Sequence, residues 1–438
     1  MSRFWLLSAV GRFWQVPLSA LTLTLLRPIT CSLFGRVLLG AVLFLGGCSL
    51  PRNSAPIEPV YASVAARTKA QQEVLFEAWK LVNKRFYNPE FNGAEWATAY
   101  DRYKDEAATA GSKEKLYDVI NDMLGELDDG HTGALTPRAA WEEYREERAF
   151  VGLNLERLDG QWVITELRQG SSAAESEIAP GWIALSRDGE SLGEDRLNFE
   201  SLPGETYTWL FTDPEGDERS VPLLARTLPD WMPPEEKHSA EGWIYLRFDE
   251  FESEYHKWLG DRLKEHDEAP GIILDLRNNG GGSVSSLEHV INDFFEDRVS
   301  YGAFVSREGK RDDEKSAWRN GEGYDGPVVA LIGGGSASSA EIFAQVLKHY
   351  ERATLIGRPT AGVVIASRKF RLDDGGEIQI GLQDFQTLDG SRLEGNGVKP
   401  DVEIERSLSD IREGRDADLE AAVEWLRVHA SAKARANL

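Results

Sequence analysis

The C-terminal half of the chain alternates between short apolar runs and longer stretches in which apolar residues recur at helical spacing. The run Val328–Ile332 is short, β-branched and bounded by glycine, which predicts a buried strand. Three glycines then precede a helical stretch, and a second run, residues 272–276, likewise leads through glycines into residues 285–295. Strands that alternate with helices predict parallel pairing and an α/β core.

Upstream of this core the pattern changes twice. From Lys69 to about Leu127 the apolar positions form two helical stripes, which predict a small helical domain. From about residue 150 to residue 226 short apolar runs are separated by turn pairs such as Asp159-Gly160, which predict a β-rich domain. The predicted organisation is therefore multidomain α/β, with a helical N-terminal domain at 68–147, a β-rich domain at 148–228 and an α/β core at 229–432.

The first 48 residues have the pattern of an export signal. Residues 1–47 contain four arginines and no acid, and Arg36 precedes the apolar run 37–45. The sequence Leu45-Gly46-Gly47-Cys48 resembles a bacterial lipobox, which makes Cys48 the lipidated N-terminus of a periplasm-facing, membrane-anchored lipoprotein of the cell envelope. A plain secretory signal and a membrane anchor at residues 5–26 are the alternatives. Residues 49–67, rich in proline, are predicted to be a linker.

Charge and cysteine content exclude two classes of protein. The formal net charge is −24, and nucleic-acid binding needs clustered lysine and arginine, so we expect no nucleic-acid partner. Cys31 and Cys48 are the only cysteines, so a disulfide framework is excluded.

Ser338 lies where the predicted strand turns into a helix. A hydroxyl at this place is close to free backbone N–H groups and to the positive end of the helix dipole. An attacking serine and the oxyanion that it creates both require these surroundings. However, Ser338-Ser339-Ala340-Glu341 also fits the capping box S-x-x-E, in which the serine only satisfies the first helical turn. Both interpretations stay open on this stretch alone.

His131 lies between two glycines at the end of the predicted helical domain, in Leu127-Asp128-Asp129-Gly130-His131-Thr132-Gly133. This position is atypical of a packed core residue. The alternative to a catalytic role is a solvated loop histidine. A metal site on Asp128, Asp129 and His131 is disfavoured because no second histidine follows at ligand spacing.

The β-rich segment resembles a PDZ domain in its order of strands, turns and a small-residue helical piece. Such domains bind an extended peptide by strand addition and hold its terminal carboxylate on backbone N–H groups. Val151, Gly152 and Leu153 match the carboxylate-binding loop, although the loop departs from the usual G-φ-G-φ pattern. A generic β-module without a peptide site is the alternative.

Taken together, the motifs resemble the tail-specific (carboxyl-terminal-processing) serine protease superfamily, whose catalytic core is shared with tricorn protease. The resemblance covers roughly residues 68–405 and implies an α/β core of the crotonase/ClpP-like type. The matching motifs occur in the family order: LDDGHT at 127–132, DLRNNGGG at 275–282, SASSAEI at 336–342, GRPTAG at 357–362 and EGNGVKPD at 394–401.

The resemblance assigns roles to individual residues. Ser338 matches the nucleophile, but Val363 occupies the position of the lysine base of the tail-specific branch. His131 matches the histidine of the tricorn-like branch. In that branch a second serine precedes the histidine, and in this chain Gly130 occupies its place. Glu394, or failing it Asp128, matches the acid that supports this histidine.

The same resemblance implies an oxyanion hole made by the N–H of Ser339 and of Gly280 or Gly281, and it implies no cofactor. We therefore expect a serine endopeptidase that hydrolyses protein or peptide substrates among exported proteins, uses Ser-His-Glu rather than Ser-Lys, and presents substrate tails on its PDZ-like domain. The alternative is a non-catalytic envelope lipoprotein that binds peptides or apolar ligands, since similar cores occur in retinoid-binding repeats. The sequence leaves the oligomeric state open.

Overall fold

The computed structural model describes residue 56 and residues 59–145, 147–193, 201–229, 231–317 and 323–436, the last seven by their backbone only. The predicted signal and Cys48 lie outside the described residues, as does most of the predicted linker. Within the described part of the chain, no helix has both the length and the apolar character needed to cross a membrane.

The first part of the described chain is helical, as the two apolar stripes predicted. Its first helix begins at Val64 rather than Lys69 because the Ser63 hydroxyl accepts the N–H of Ala66 at 3.1 Å and caps it. The elements here are α1 (Val64–Arg85), a 3₁₀ turn (Phe91–Gly93), α2 (Trp96–Thr109), α3 (Lys113–Gly125), β1 (Gly133–Leu135) and α4 (Pro137–Tyr144).

The next part is an antiparallel sheet with its own apolar core. Trp209, Phe211 and Leu223 are buried in that core with Ile164 and Ala184. Its strands are β2 (Glu147–Phe150), β3 (Leu153–Leu158), β4 (Gln161–Leu167), β5 (Ile183–Arg187), β6 (Glu190–Ser191), β7 (Thr206–Thr212), β8 (Glu218–Leu224) and β9 (Arg226–Pro229). The spatial order is β3-β4-β5-β7-β8, so β3 is an edge strand.

The C-terminal part contains the predicted parallel sheet and carries the remaining elements. These are β10 (Glu235–His238), β11 (Ile244–Arg247), α5 (Ser253–Glu265), β12 (Ile272–Asp275), α6 (Val284–Asn292), β13 (Ser300–Ser306), β14 (Arg311–Lys315), β15 (Val328–Ile332), α7 (Ser339–His349), β16 (Thr354–Gly357), β17 (Ala366–Arg371), β18 (Glu377–Gln386), β19 (Val402–Glu403), α8 (Leu408–Arg412) and α9 (Ala417–Ala436).

The parallel sheet has the order β10-β11-β12-β15-β16-β19, with only its first strand antiparallel. One face packs on α5, α6 and α7 through Leu259, Leu287 and Phe343. The other face packs on α9 through Ala422 and Leu426. Layers on both faces explain why β12 and β15 are continuous apolar runs.

A second, antiparallel sheet was not predicted from the sequence. It has the order β1-β18-β13-β14, with β17 also paired to β18. Its residues Ile378 and Ile380, with Ile365, complete the core of the helical N-terminal part around Leu75 and Ile120. The loop that carries His131, immediately before β1, is thereby fixed against the C-terminal part of the chain.

Candidate active site

Ser338 is the N-cap residue of α7, but its backbone does not have the conformation of an ordinary cap. Its φ is 55° and its ψ is −120°, whereas the N-cap residues Ser63 and Ser112 are extended, with φ of −160° and −141°. A non-glycine residue at positive φ is strained and persists only where its surroundings hold it. Ser338 is partly exposed at this sharp turn between β15 and α7.

A buried carboxylate holds the turn in this conformation. Glu341 Oε2 accepts the N–H of Ser338 at 3.1 Å and of Val363 at 2.8 Å. Its Oε1 accepts the N–H of Gly362 at 2.7 Å and the Thr360 hydroxyl at 2.5 Å. The capping box predicted from the sequence is therefore present, but its glutamate also binds a segment twenty residues further along the chain.

Gly281 lies directly against the serine. Its φ is +96°, and a Cβ atom placed there would be 2.6 Å from the Cβ of Ser338 and 3.0 Å from the N atom of Ser339. Only glycine fits such an approach of two backbones. The glycine clusters after β12 and β15 thus meet at Ser338, as parallel strands that end at one edge of a sheet require.

The predicted oxyanion donors differ in their availability. Gly280 donates its N–H to the Asp249 carbonyl at 3.0 Å, and Gly281 donates to Asn279 Oδ1 at 2.9 Å. Ser339 is the first residue of α7, where an N–H has no acceptor within the helix. In this conformation Ser339 is the available donor of the predicted set, because the two glycine N–H groups are engaged.

His131 is buried beside two carboxyl groups. His131 is 6 % exposed, and its backbone N–H donates to Asp129 Oδ1 at 2.8 Å. One imidazole nitrogen of His131 and one oxygen each of Asp129 and Glu394 lie within 4.8 Å of one another. The solvated-loop interpretation of His131 is therefore wrong. Asp128, the predicted substitute for Glu394, is exposed, and its neighbour Asp129 takes the buried position.

Burial sets the protonation states of this group. Burial lowers the pKa of His131 to about 3, so the imidazole is neutral at neutral pH. Burial, with the nearby Asp129 charge, raises the pKa of Glu394 to about 7. The Nδ1 atom of His131 is buried and has no hydrogen-bond partner. A neutral imidazole with an unused nitrogen next to a carboxyl group that ionises near pH 7 is suited to general-base chemistry.

Val363 and Val364 connect the histidine loop to the serine. The Val363 carbonyl accepts the N–H of Ser338 at 2.8 Å, and the N–H of Val364 donates to Glu394 Oε2 at 2.6 Å. A Cβ atom at Gly130 would lie 2.6 Å from the Cγ1 atom of Val363. The two departures from the family pattern are thus in contact, since the valine side chain leaves no room for a serine at position 130.

No hydrogen bond joins His131 to Ser338 in the described part of the chain. The serine and the loop of the histidine both contact Val363, and Glu394 accepts the N–H groups of Gly130 and Val364. The predicted carboxylate loop lies elsewhere, at the entrance to β3. There the Val151 carbonyl accepts the N–H of Ala173 at 3.1 Å, and Gly152 has a φ of +94°.

A metal ion can bind imidazole nitrogens and carboxylate oxygens, and such atoms come together at Asp129, His131 and Glu394. Their oxygens already hold the loop, because Glu394 accepts the N–H of Gly130 and Val364 and Asp129 accepts the Thr132 hydroxyl. This arrangement does not provide oxygens free for a metal ion. It agrees with a role in orienting His131.

Sequence reasoning missed two residues of the site. The sequence predicts Glu341 only as half of a capping box, and it does not show which of Asp128 and Asp129 is buried. The capping-box motif was the available signal for Glu341. The sequence contained no signal for the burial of Asp129 rather than Asp128.

Comparison with known proteins finds similar proteases. The model of peptidase family S41 matches residues 243–404, and that of the tricorn protease C1 domain matches residues 68–125. The chain is 28% identical over 418 residues to a carboxyl-terminal-processing protease of Synechocystis, covering 89% of this chain and 91% of the relative. A putative tricorn protease homolog 2 of Streptomyces coelicolor is 27% identical over 379 residues, covering 79% of this chain and 31% of that protein.

Solved structures show the same fold. The photosystem II D1 C-terminal processing protease aligns with a TM-score of 0.57 at 23% identity, over 77% of this chain and 93% of that structure. The tricorn protease aligns with a TM-score of 0.50 at 20% identity, over 83% of this chain and 37% of that structure. From the site and these matches together, the chain is a serine peptidase, and the matches support the tail-specific (carboxyl-terminal-processing) protease family with a tricorn-type core.

Proposed function

We propose that the chain is an endopeptidase for exported proteins in which Ser338 is the nucleophile, His131 the general base and Glu394 the residue that supports His131. The observation that carries the proposal is the backbone of Ser338, held at a φ of 55° at the N-terminus of α7. An ordinary cap needs no such strain, whereas a nucleophile gains an exposed hydroxyl beside helix N–H groups.

In the proposed reaction, Ser338 Oγ attacks the carbonyl carbon of the scissile bond, and its proton passes to His131. The Ser339 N–H holds the resulting oxyanion, and one such donor contributes about 3–4 kcal/mol. His131 then returns the proton to the leaving amine as the C–N bond breaks. A water molecule, deprotonated by His131, hydrolyses the acyl-enzyme and regenerates the serine.

Glu394 would balance the charge of the imidazolium. With a pKa near 3 in its buried site, His131 is a weak base unless a negative charge develops beside it. Ionised Glu394, within 4.8 Å, supplies that charge. The step also requires the imidazole to turn toward Ser338, since the two make no hydrogen bond at rest. Such contacts commonly form only when substrate is bound.

Labelling with a fluorophosphonate tests the proposal, because only an activated serine reacts with this reagent. We expect the wild-type chain to be labelled and Ser338→Ala not to be. Ser339→Ala is the matched control, since it keeps the backbone N–H and loses only a hydroxyl that donates to the Gly282 carbonyl at 2.8 Å. Unlabelled wild type would favour the non-catalytic alternative, and equal labelling of Ser338→Ala would assign the reactive serine to another position.

We propose that residues 148–228 act as a PDZ-like domain that presents substrate tails. The supporting observation is that β3 is an edge strand and directly follows Val151 and Gly152. A peptide added to this edge would place its carboxylate at that loop. In Ser338→Ala protein, Leu153→Ala should weaken binding of a labelled C-terminal peptide, and unchanged binding would reject this surface.

We also propose that the protein is an exported lipoprotein anchored at Cys48, with residues 49–67 as a linker. The support is the lipobox-like Leu45-Gly46-Gly47-Cys48 after an apolar run. Cys48→Ala should move the protein from the membrane to the soluble fraction of a cell extract. Retention on the membrane would contradict lipidation at this residue.

A further inference from the structure

Two histidines from different elements converge on one glutamate at the first strand of the parallel sheet. Glu236 and His238 are two residues apart on β10, so their side chains leave the same face of the strand. His266 follows the last turn of α5. The Nε2 atoms of His238 and His266 each lie 2.7 Å from Glu236 Oε1, and the two rings meet edge to face with centroids 5.1 Å apart.

Two imidazole nitrogens and one carboxylate oxygen are a donor set typical of Zn²⁺ sites in which water is the fourth ligand. Bond lengths of about 2.1 Å in a tetrahedron place ligand atoms roughly 3.4 Å apart, so each imidazole must move about 0.7 Å from its present distance. The side chain of His238 is 58% exposed and can make this movement. Those of His266 and Glu236 are only 13% and 20% exposed and supply the fixed part.

Arg262 contacts one oxygen of the Glu236 carboxylate, and the two histidines contact the other. Arg262 Nη1 lies 3.4 Å from Glu236 Oε2, and its Nη2 lies 2.8 Å from Glu265. Arg262 therefore orients the carboxylate from the far side, and Glu265 balances the arginine charge. Hydrogen bonds that orient ligands in this way are usual around metal sites.

The cluster lies at the opposite end of the parallel strands from the turns that carry Gly281 and Ser338. His238 pairs with Ile244, the first residue of β11. His266 lies at the start of the loop that leads from α5 to the first residue of β12. Both lie at the amino ends of parallel strands, whereas Gly281 and Ser338 follow carboxyl ends. An ion here would not contact the catalytic residues, but it would fix β10, the first strand after the β-rich part, to α5.

We propose that Glu236, His238 and His266 bind one Zn²⁺ ion, which pins the edge strand β10 to the end of α5. This site is separate from the peptidase chemistry and does not depend on it. The ligand class is a borderline divalent cation that accepts imidazole and carboxylate together, which distinguishes it from Ca²⁺ and Mg²⁺.

Calorimetric titration of the full chain with Zn²⁺ tests the proposal without any activity measurement. We expect one ion per chain, and affinity at least about 10–100-fold weaker in His238→Ala and in His266→Ala. Glu236→Gln, which keeps the shape of the side chain, should weaken binding similarly. His349→Ala removes an exposed histidine outside the cluster and should leave the titration unchanged.

Hydrogen exchange supplies a second readout. Zn²⁺ should slow amide exchange in β10 of the wild type and not of His238→Ala, because ligand binding stabilises only the structure that holds it. Absence of one-to-one binding would overturn the proposal. Equal binding by wild type and by the two histidine variants would also overturn it, since the ion would then lie elsewhere in the chain.

Discussion

The turns after β12 and β15 both lead from a parallel strand through glycines into a helix, and they meet at Ser338. They differ in the side chain that holds them. After β12, the amide of Asn279 organises the turn: Oδ1 accepts the N–H of Gly281 at 2.9 Å, and Nδ2 donates to the Phe248 carbonyl at 2.8 Å. After β15, the carboxylate of Glu341 has the same task but holds four donors.

The difference explains how strain is confined to one side of the site. The turn after β12 uses glycines at positive φ, for which that conformation costs little. The turn after β15 places Ser338 at positive φ, and a network of buried, charge-assisted hydrogen bonds keeps it there. An amide satisfies its own turn, whereas a buried carboxylate can also hold the distant segment of Gly362 and Val363.

The largest expected effect comes from changing Glu394, the buried carboxyl group beside His131. Glu394→Gln should reduce peptide hydrolysis about 10²–10⁴-fold, as loss of a histidine-supporting acid does in serine proteases. In the wild type, activity should rise as pH increases through about 7, because Glu394 loses its proton there and then stabilises the imidazolium.

The pH profile of kcat/KM separates this role from a structural one. Glu394→Gln should lack the rise near pH 7, whereas a purely structural loss would lower the profile without changing its shape. A rise of unchanged size in the variant would assign the titration to another group, such as Glu341, whose pKa burial also raises to about 7.

The next effect concerns the Glu341 carboxylate, which holds the turn after β15. Glu341→Gln replaces one carboxylate oxygen by an NH₂ group, which then opposes two of the four donors bound to Glu341, and each buried donor left unpaired costs about 1–3 kcal/mol. We expect the free energy of unfolding, measured with urea, to fall by about 3 kcal/mol or more. Ser283→Ala is the control on the other turn, since Ser283 caps α6 without a side-chain hydrogen bond. A loss below about 1 kcal/mol in Glu341→Gln, or an equal loss in both variants, would contradict the comparison.

A pair of glycine substitutions compares the two turns directly. Gly281→Ala forces a Cβ to within 2.6 Å of Ser338 at a φ of +96°, so we expect a loss of about 2–3 kcal/mol in the free energy of unfolding. Gly334→Ala, in the turn after β15, meets no atom within 4 Å and should change it by less than about 0.5 kcal/mol. Similar losses for the two variants would mean that the glycine contact at Ser338 is not tight.

The smallest effect is expected where the histidine loop meets the serine turn. Gly130→Ala should cost about 1–2 kcal/mol because its methyl group overlaps Val363, which is 5 % exposed. Val363→Ala removes that overlap, so the double variant should be more stable than the sum of the single changes predicts. Additive changes in the urea titrations would show that the two residues do not interact.

How far the sequence predicted this site depends on the range of the interactions involved. The apolar runs β12 and β15, the glycines after them and the helix that follows Ser338 are local patterns, and each was predicted correctly. The strands near β17 and β18 were predicted, but their sheet was missed because β1, β13 and β18 pair although they lie far apart in the chain. Its edge strand β14 has only five residues, all of them polar, and nothing local marks such a strand apart from a loop.

The sequence by itself determined the α/β alternation, the place of Ser338 between strand and helix, and the family through motifs such as Asp128–His131, because these depend on neighbouring residues. Only the tertiary structure decided that Ser338 is strained, that Asp129 rather than Asp128 is buried, and that the N–H groups of Gly280 and Gly281 are engaged. The physical reason is that burial and hydrogen-bond partners are set by residues distant in the chain. Gly130 and Glu394, which meet in the site, are 264 residues apart.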